Sequence, residues 1–98
     1  MEDKDKYLYF TADMLNKKDV KEYLEYIEQN WKYAEDGGFV LRQRGNIIRF
    51  ELHTFGYSMN EEFVSLCLKD SIFWGLFWQR SSRGGHYWFK INMKMLPK

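Results

Sequence analysis

Residues 39–54, FVLRQRGNIIRFELHT, decide the architecture of this chain. Phe39–Gln43 and Ile47–Thr54 are two β-rich runs joined across Arg44, Gly45 and Asn46, the length and composition of a hairpin turn. In the second run Ile48, Phe50 and Leu52 alternate with Arg49, Glu51 and His53. Successive side chains of a strand point to opposite faces, so this strand has one apolar and one charged side. It belongs in an antiparallel sheet with one face covered and the other open to water.

On the N-terminal side, Val20, Tyr23, Leu24, Ile27 and Trp31 recur at spacings of three and four, with Lys21, Glu22, Glu25 and Glu28 on the opposite side. This is the pattern of an amphipathic helix. Asn16 is its expected N-cap, Asp19 suits the positive end of the helix dipole, and Gly37 and Gly38 mark the exit. Before it, Tyr7–Ala12 reads as a first strand. On the C-terminal side, Ser58 and Glu61 have the spacing of a capping box, opening a second helix whose buried stripe is Phe63, Leu66 and Cys67. Ile72–Arg80 and His86–Met93 then read as a second hairpin around Ser81–Gly85.

The resulting order is β-α-β-β-α-β-β. The expected fold class is α+β: a two-layer sandwich with an antiparallel, ferredoxin-like β-α-β-β-α-β sheet, one extra C-terminal strand, and two helices on one face. A length of 98 residues fits a single domain spanning 1–98, with 1–5 and 94–98 expected to fray. Aromatic residues make up 19% of the chain, which rules out a disordered polymer. The formal net charge is +1, far from that of a dedicated duplex-DNA binder or an acidic DNA mimic. Cys67 is the single cysteine, so no internal disulfide can form. The charged start, with no apolar signal segment behind it and no membrane span, makes the cytoplasm the expected compartment.

No catalytic, cofactor or metal motif emerges, and the expectation is a protein that is not an enzyme. His53 and His86 lack a third ligand at any sequence spacing and would need a carboxylate from elsewhere, such as Glu51; ordinary sheet-surface roles are expected, with no metal site. Cys67 sits on an apolar stripe and reads as a core residue. Asp13, Glu51, Glu61 and Glu62 have no spacing that fixes a paired-carboxylate site. The loop Ser81–Gly85 leads into a strand, so it lacks the helix N-terminus on which phosphate-binding loops rely.

The residues left over describe a surface. Arg42, Arg44, Arg49, Arg80 and Arg83 all fall in the two hairpin regions, while the helices favour Glu, Asp and Lys. Tyr7, Tyr9 and Trp88, with Trp74 and Trp78 if those two face outward, are expected on the open sheet face, more apolar area than a soluble monomer leaves bare. Trp, Tyr and Arg are the residue types of interface hot spots. The leading expectation is therefore a small protein-binding module of inhibitor or adaptor type. Its partner is another protein or a second copy of itself as a homodimer, and its size and style suit a phage or mobile element. The alternative is single-stranded nucleic-acid binding across the sheet. Leu8-Tyr9-Phe10 resembles the aromatic-bearing first strand of RNA-recognition motifs. Arg44-Gly45-Asn46-Ile47 keeps that family's basic-glycine opening but lacks the aromatic after the glycine.

Overall fold

In the computed structural model, which describes residues 7–97, the 39–54 stretch folds as anticipated. Strand β1 (Phe39–Arg44) and strand β2 (Ile47–His53) pair antiparallel, with Phe39 opposite Leu52 and Arg44 opposite Ile47. The alternation also holds, since Ile48, Phe50 and Leu52 are buried and Arg49 is exposed. The amphipathic stripe forms helix α1 (Lys17–Asn30), whose N-cap Asn16 accepts a 2.8 Å hydrogen bond from the Asp19 amide. That helix stops at Asn30, before Gly37 and Gly38; Trp31 leaves it in extended conformation and donates its indole N–H to the His53 carbonyl at 3.1 Å.

Helix α2 (Ser58–Phe63) runs on into a π-helical turn, Val64–Leu68. Ser58 is the first helical residue and makes no side-chain cap; the N-cap position belongs to Tyr57, so the expected capping box is absent. Helix α3 (Ile72–Phe77) follows, then strand β3 (Trp78–Ser82) and strand β4 (His86–Asn92). The sheet order is β1-β2-β4-β3, antiparallel throughout, so the two hairpins join through their inner strands. The β3–β4 turn docks on the end of β2: the Thr54 amide donates to the Gly85 carbonyl at 2.9 Å. A Cβ at Gly85 would lie 2.0 Å from Thr54 Oγ1, so only glycine fits that approach.

Two expected strands are corrected. Residues 7–12 do not join the sheet: 7–11 lie as a strap on the helices and Ala12 opens a 3-10 turn, Ala12–Met14. The Leu8 amide donates to the Tyr26 hydroxyl and the Leu8 carbonyl accepts from Cys67 Sγ at 3.2 Å. Tyr9 donates its hydroxyl to the Leu66 carbonyl at 2.7 Å, and the Tyr7 ring lies 4.6 Å from Phe63. Side chains of the helical layer thus supply polar partners that a neighbouring strand would otherwise provide. Residues 72–80 begin as helix rather than strand, because burial follows the helical spacing of Phe73 and Phe77 and leaves Ile72 and Leu76 exposed. The architecture is α+β, a four-stranded antiparallel sheet with three helices. Among the described residues it lacks the first strand that the ferredoxin-like order requires.

At the other end, the Lys17 amide donates to the Pro97 carbonyl at 3.2 Å, holding residues 94–97, which were expected to fray; residues 1–6 and Lys98 lie outside the described residues. Phe73 sits at the meeting point of the layers. Its ring centroid is 5.2 Å from Phe10 of the strap, 5.0 Å from Tyr23 of α1, 5.9 Å from Phe50 of β2 and 6.1 Å from Phe89 of β4. Asn60 is fully buried and ties the loop after α1 to α2, accepting from the Lys32 amide at 2.8 Å and donating to the Lys32 carbonyl at 2.9 Å. Truncating Phe73→Ala removes contacts to the strap, α1 and both central strands at once. The expected loss is about 3–5 kcal/mol in urea denaturation; a loss below about 1 kcal/mol would show that the ring is not the keystone of the core.

Candidate functional site

All the buried sheet residues lie on the helix-bearing face, and the register defines what the open face carries. Arg42 of β1 stands opposite Arg49 of β2, which stands opposite Lys90 of β4, so three cations line up across three strands. The next row holds Val40, Glu51, Trp88 and Arg80; the row beyond it holds His53, His86 and Ser82. On the other side of the cationic row come Arg44, Ile47 and Asn92. Like charges directly opposite each other on adjacent strands destabilise a sheet, whereas opposite charges stabilise it. Folding alone gives no reason for this row.

Around it is a concave space of about 600 Å³ whose charged lining is Arg42, Arg44, Arg49, Arg80, Lys90 and Glu51. The face therefore concentrates positive charge although the whole chain is almost neutral. Trp88 forms an aromatic wall, with the Arg80 guanidinium 4.1 Å from its ring centroid. Glu51 is held at both oxygens: Arg42 Nη1 lies 3.4 Å from Oε2 and His53 Nε2 lies 3.0 Å from Oε1. His53 Nδ1 in turn meets His86 Nδ1 at 2.7 Å. The two histidines and Glu51, distant or unremarkable in sequence, form one hydrogen-bonded chain beside Trp88.

Of the ten residues singled out from sequence, Arg42, Arg44, Arg49, Arg80 and Trp88 come together here. The others do not. Tyr7 and Tyr9 pack on the helices, correcting their expected place on the open face. Trp74 and Trp78 stack on each other at 6.2 Å at the α3–β3 junction, with Trp78 opposite Phe89 and so on the inner side of the register. Arg83 stands at the tip of the second hairpin, outside the concavity. Lys90 is the contributor that sequence reading missed, although its alternation with the buried Phe89 and Ile91 carried the signal. A separate exposed aromatic cluster also went unseen. Tyr33 packs edge-on against Phe55 and Tyr57, and the Tyr57 hydroxyl points at Met59 Sδ. Tyr33 and Phe55 both hold left-handed backbone, at φ of 64° and 56°.

The catalytic candidates stay apart. Asp13 lies in the turn before α1, bonded to the Thr11 hydroxyl, which holds its carboxyl below the usual range; Glu61 and Glu62 lie on α2 and Glu51 on the open sheet. Cys67 is fully buried, 3.6 Å from the Tyr23 hydroxyl, and burial pushes its thiol up, away from a nucleophilic thiolate. Among the described residues, no group of three or more His, Cys, Asp or Glu side chains could enclose a metal ion, and no helix is long and apolar enough to cross a membrane. Compared with protein-family models, curated proteins and solved structures, the chain finds no match.

Burial raises Cys67 and Tyr23 in the folded state, so their protonated forms stabilise the fold. That contribution is complete below their unfolded values of 9.0 and 10.0 and is lost as pH climbs from these towards the raised folded values. The urea midpoint should therefore fall steadily from pH 8 to pH 11, a flat profile being the contrary result. The cationic row makes its own prediction for Arg49→Thr. Relief of repulsion should raise the melting temperature by about 1–3 °C at low salt, with the gain vanishing at high salt. A lower melting temperature would mean that Arg49 serves the fold.

Proposed function

We propose that this chain is a non-enzymatic binding module that holds single-stranded nucleic acid across the open face of its sheet. The observation that carries the reading is the in-register row of Arg42, Arg49 and Lys90 beside Trp88. A sheet tolerates such repulsion when an anion relieves it, and a phosphate backbone supplies negative charge in a line. Trp88 offers a π face on which a base can stack, and Arg80, already lying over that ring, can move to a phosphate or extend the stack. A concavity of about 600 Å³ is within the range that accommodates a compact ligand such as one nucleotide unit.

A protein partner is the second reading, and its support now comes from a different surface. The exposed Tyr33, Phe55 and Met59, packed around the half-buried Tyr57, combine apolar area with two bulky residues in strained backbone. Such a surface suits an inhibitor or adaptor, and its binding would be indifferent to the arginines of the sheet. The resemblance of Leu8-Tyr9-Phe10 to RNA-recognition motifs lends nothing to either reading, because that segment is not in the sheet.

Tryptophan fluorescence titrated with mixed-sequence single-stranded oligonucleotides tests the first reading. Saturable quenching is expected, weakening with salt at a log–log slope of roughly −2 to −4 for three to five phosphate contacts. Arg42→Ala should weaken binding about equally for all sequences and make the slope shallower by about 0.7, whereas Trp88→Ala should cost about 1–3 kcal/mol through lost stacking. Binding indifferent to salt, or the absence of binding at low salt, would exclude nucleic acid and leave the Tyr33–Phe55 surface as the working face.

A further inference from the structure

His53 and His86 are directly opposite on adjacent antiparallel strands, β2 and β4, and their Nδ1 atoms converge to 2.7 Å. The second nitrogen of His53, Nε2, lies 3.0 Å from Glu51 Oε1. A carboxylate accepts only, so His53 donates there through Nε2–H and presents the Nδ1 lone pair to its neighbour. His86 therefore donates its Nδ1–H across the 2.7 Å contact. This is the arrangement of a metal-ligating histidine, whose remote N–H is held by a carboxylate that fixes tautomer and ring orientation.

We propose that His53 and His86 form a two-nitrogen chelate for a divalent transition metal of the Zn²⁺, Ni²⁺ or Cu²⁺ class, with Glu51 as the positioning carboxylate. Imidazole nitrogens suit these ions, and magnesium and calcium prefer oxygen donors. Bonds of about 2.0–2.1 Å to one ion would set the two nitrogens roughly 3 Å apart, so the pair opens by a few tenths of an ångström and the rings turn until both Nδ1 lone pairs converge on the ion. The proton balance is closed. The Nδ1–H of His86 moves to its own Nε2, both rings remain neutral, and both Nδ1 lone pairs bind the ion. Glu51 is the single carboxylate in the charged lining of this face; its Oε1 holds His53 while its Oε2 faces Arg42. His53 is mostly buried, with 17% of its side chain exposed, which limits its motion, while water or an anionic ligand completes the coordination shell on the open side.

Trp88 is a built-in reporter, with ring centroids 6.0 Å from His53 and 6.2 Å from His86. Titration of the full chain with NiCl₂ should quench its fluorescence saturably at one ion per chain, and ZnCl₂ should raise the melting temperature where MgCl₂ does not. His86→Ala should abolish both effects while keeping the circular-dichroism spectrum. Glu51→Gln should weaken Ni²⁺ binding about 10- to 100-fold. Should His53→Ala fail to fold, the His86→Ala chain decides alone. Quenching that persists unchanged in His86→Ala, or that never saturates, would overturn the proposal.

Discussion

The Phe73 ring is the contact on which the rest of the structure depends. A four-stranded sheet with one apolar face is unstable until that face is covered, and α3 is too short to cover it by itself. Phe73 solves this by standing between Phe50 and Phe89 of the two central strands, Tyr23 of α1 and Phe10 of the strap. Phe50 and Phe89 are themselves stacked at 4.5 Å, so the two hairpins are joined under Phe73 by aromatic packing as well as by the β2–β4 ladder. In a chain this small, aromatic area is the most economical way to bury enough surface. It also explains why Phe10, Tyr23, Phe50, Phe63, Phe73 and Phe89 turn inward, while Tyr33 and Phe55 stay exposed at the other loop cluster.

With the aromatics taken by the core, the opposite sheet face is left to charge. The alternation that buries Ile48, Phe50 and Leu52 projects Arg49, Glu51 and His53 outward, and β4 repeats the division with Phe89 and Ile91 inside and Trp88 and Lys90 outside. Pairing the two strands then places Arg49 against Lys90 and His53 against His86. The cationic row and the histidine pair are thus two consequences of one register. Shifting it by one residue would exchange the inner and outer side chains of a whole strand. A core that fixes the register therefore fixes the candidate site, and two core residues, Phe50 and Phe89, line its floor.

Much of this was legible in the residues themselves, and where it was not, the physical reason is specific. The first hairpin could be read because its turn and its period-two alternation agree, and α1 because its stripe and its Asn16 cap agree. Residues 72–77 could not, since a short apolar run matches a buried strand and a buried helix equally well. The arginines were visible as a cluster in the two hairpin regions, but their in-register opposition was not. The His53–His86–Glu51 chain was not legible, because nothing in a linear spacing brings residues 33 positions apart to within 2.7 Å.

The sequence by itself determined an α+β domain, the charged side of β2, and a site without a cysteine pair, because composition and local periodicity act over a few neighbouring residues. Only the tertiary structure decided the strand order, the strap made of residues 7–11 and the place of each aromatic. A segment such as Leu8-Tyr9-Phe10 has two faces of equal apolar merit. Where its backbone docks depends on the hydroxyl of Tyr26 and the thiol of Cys67, which bond the Leu8 amide and carbonyl and are supplied by distant helical segments.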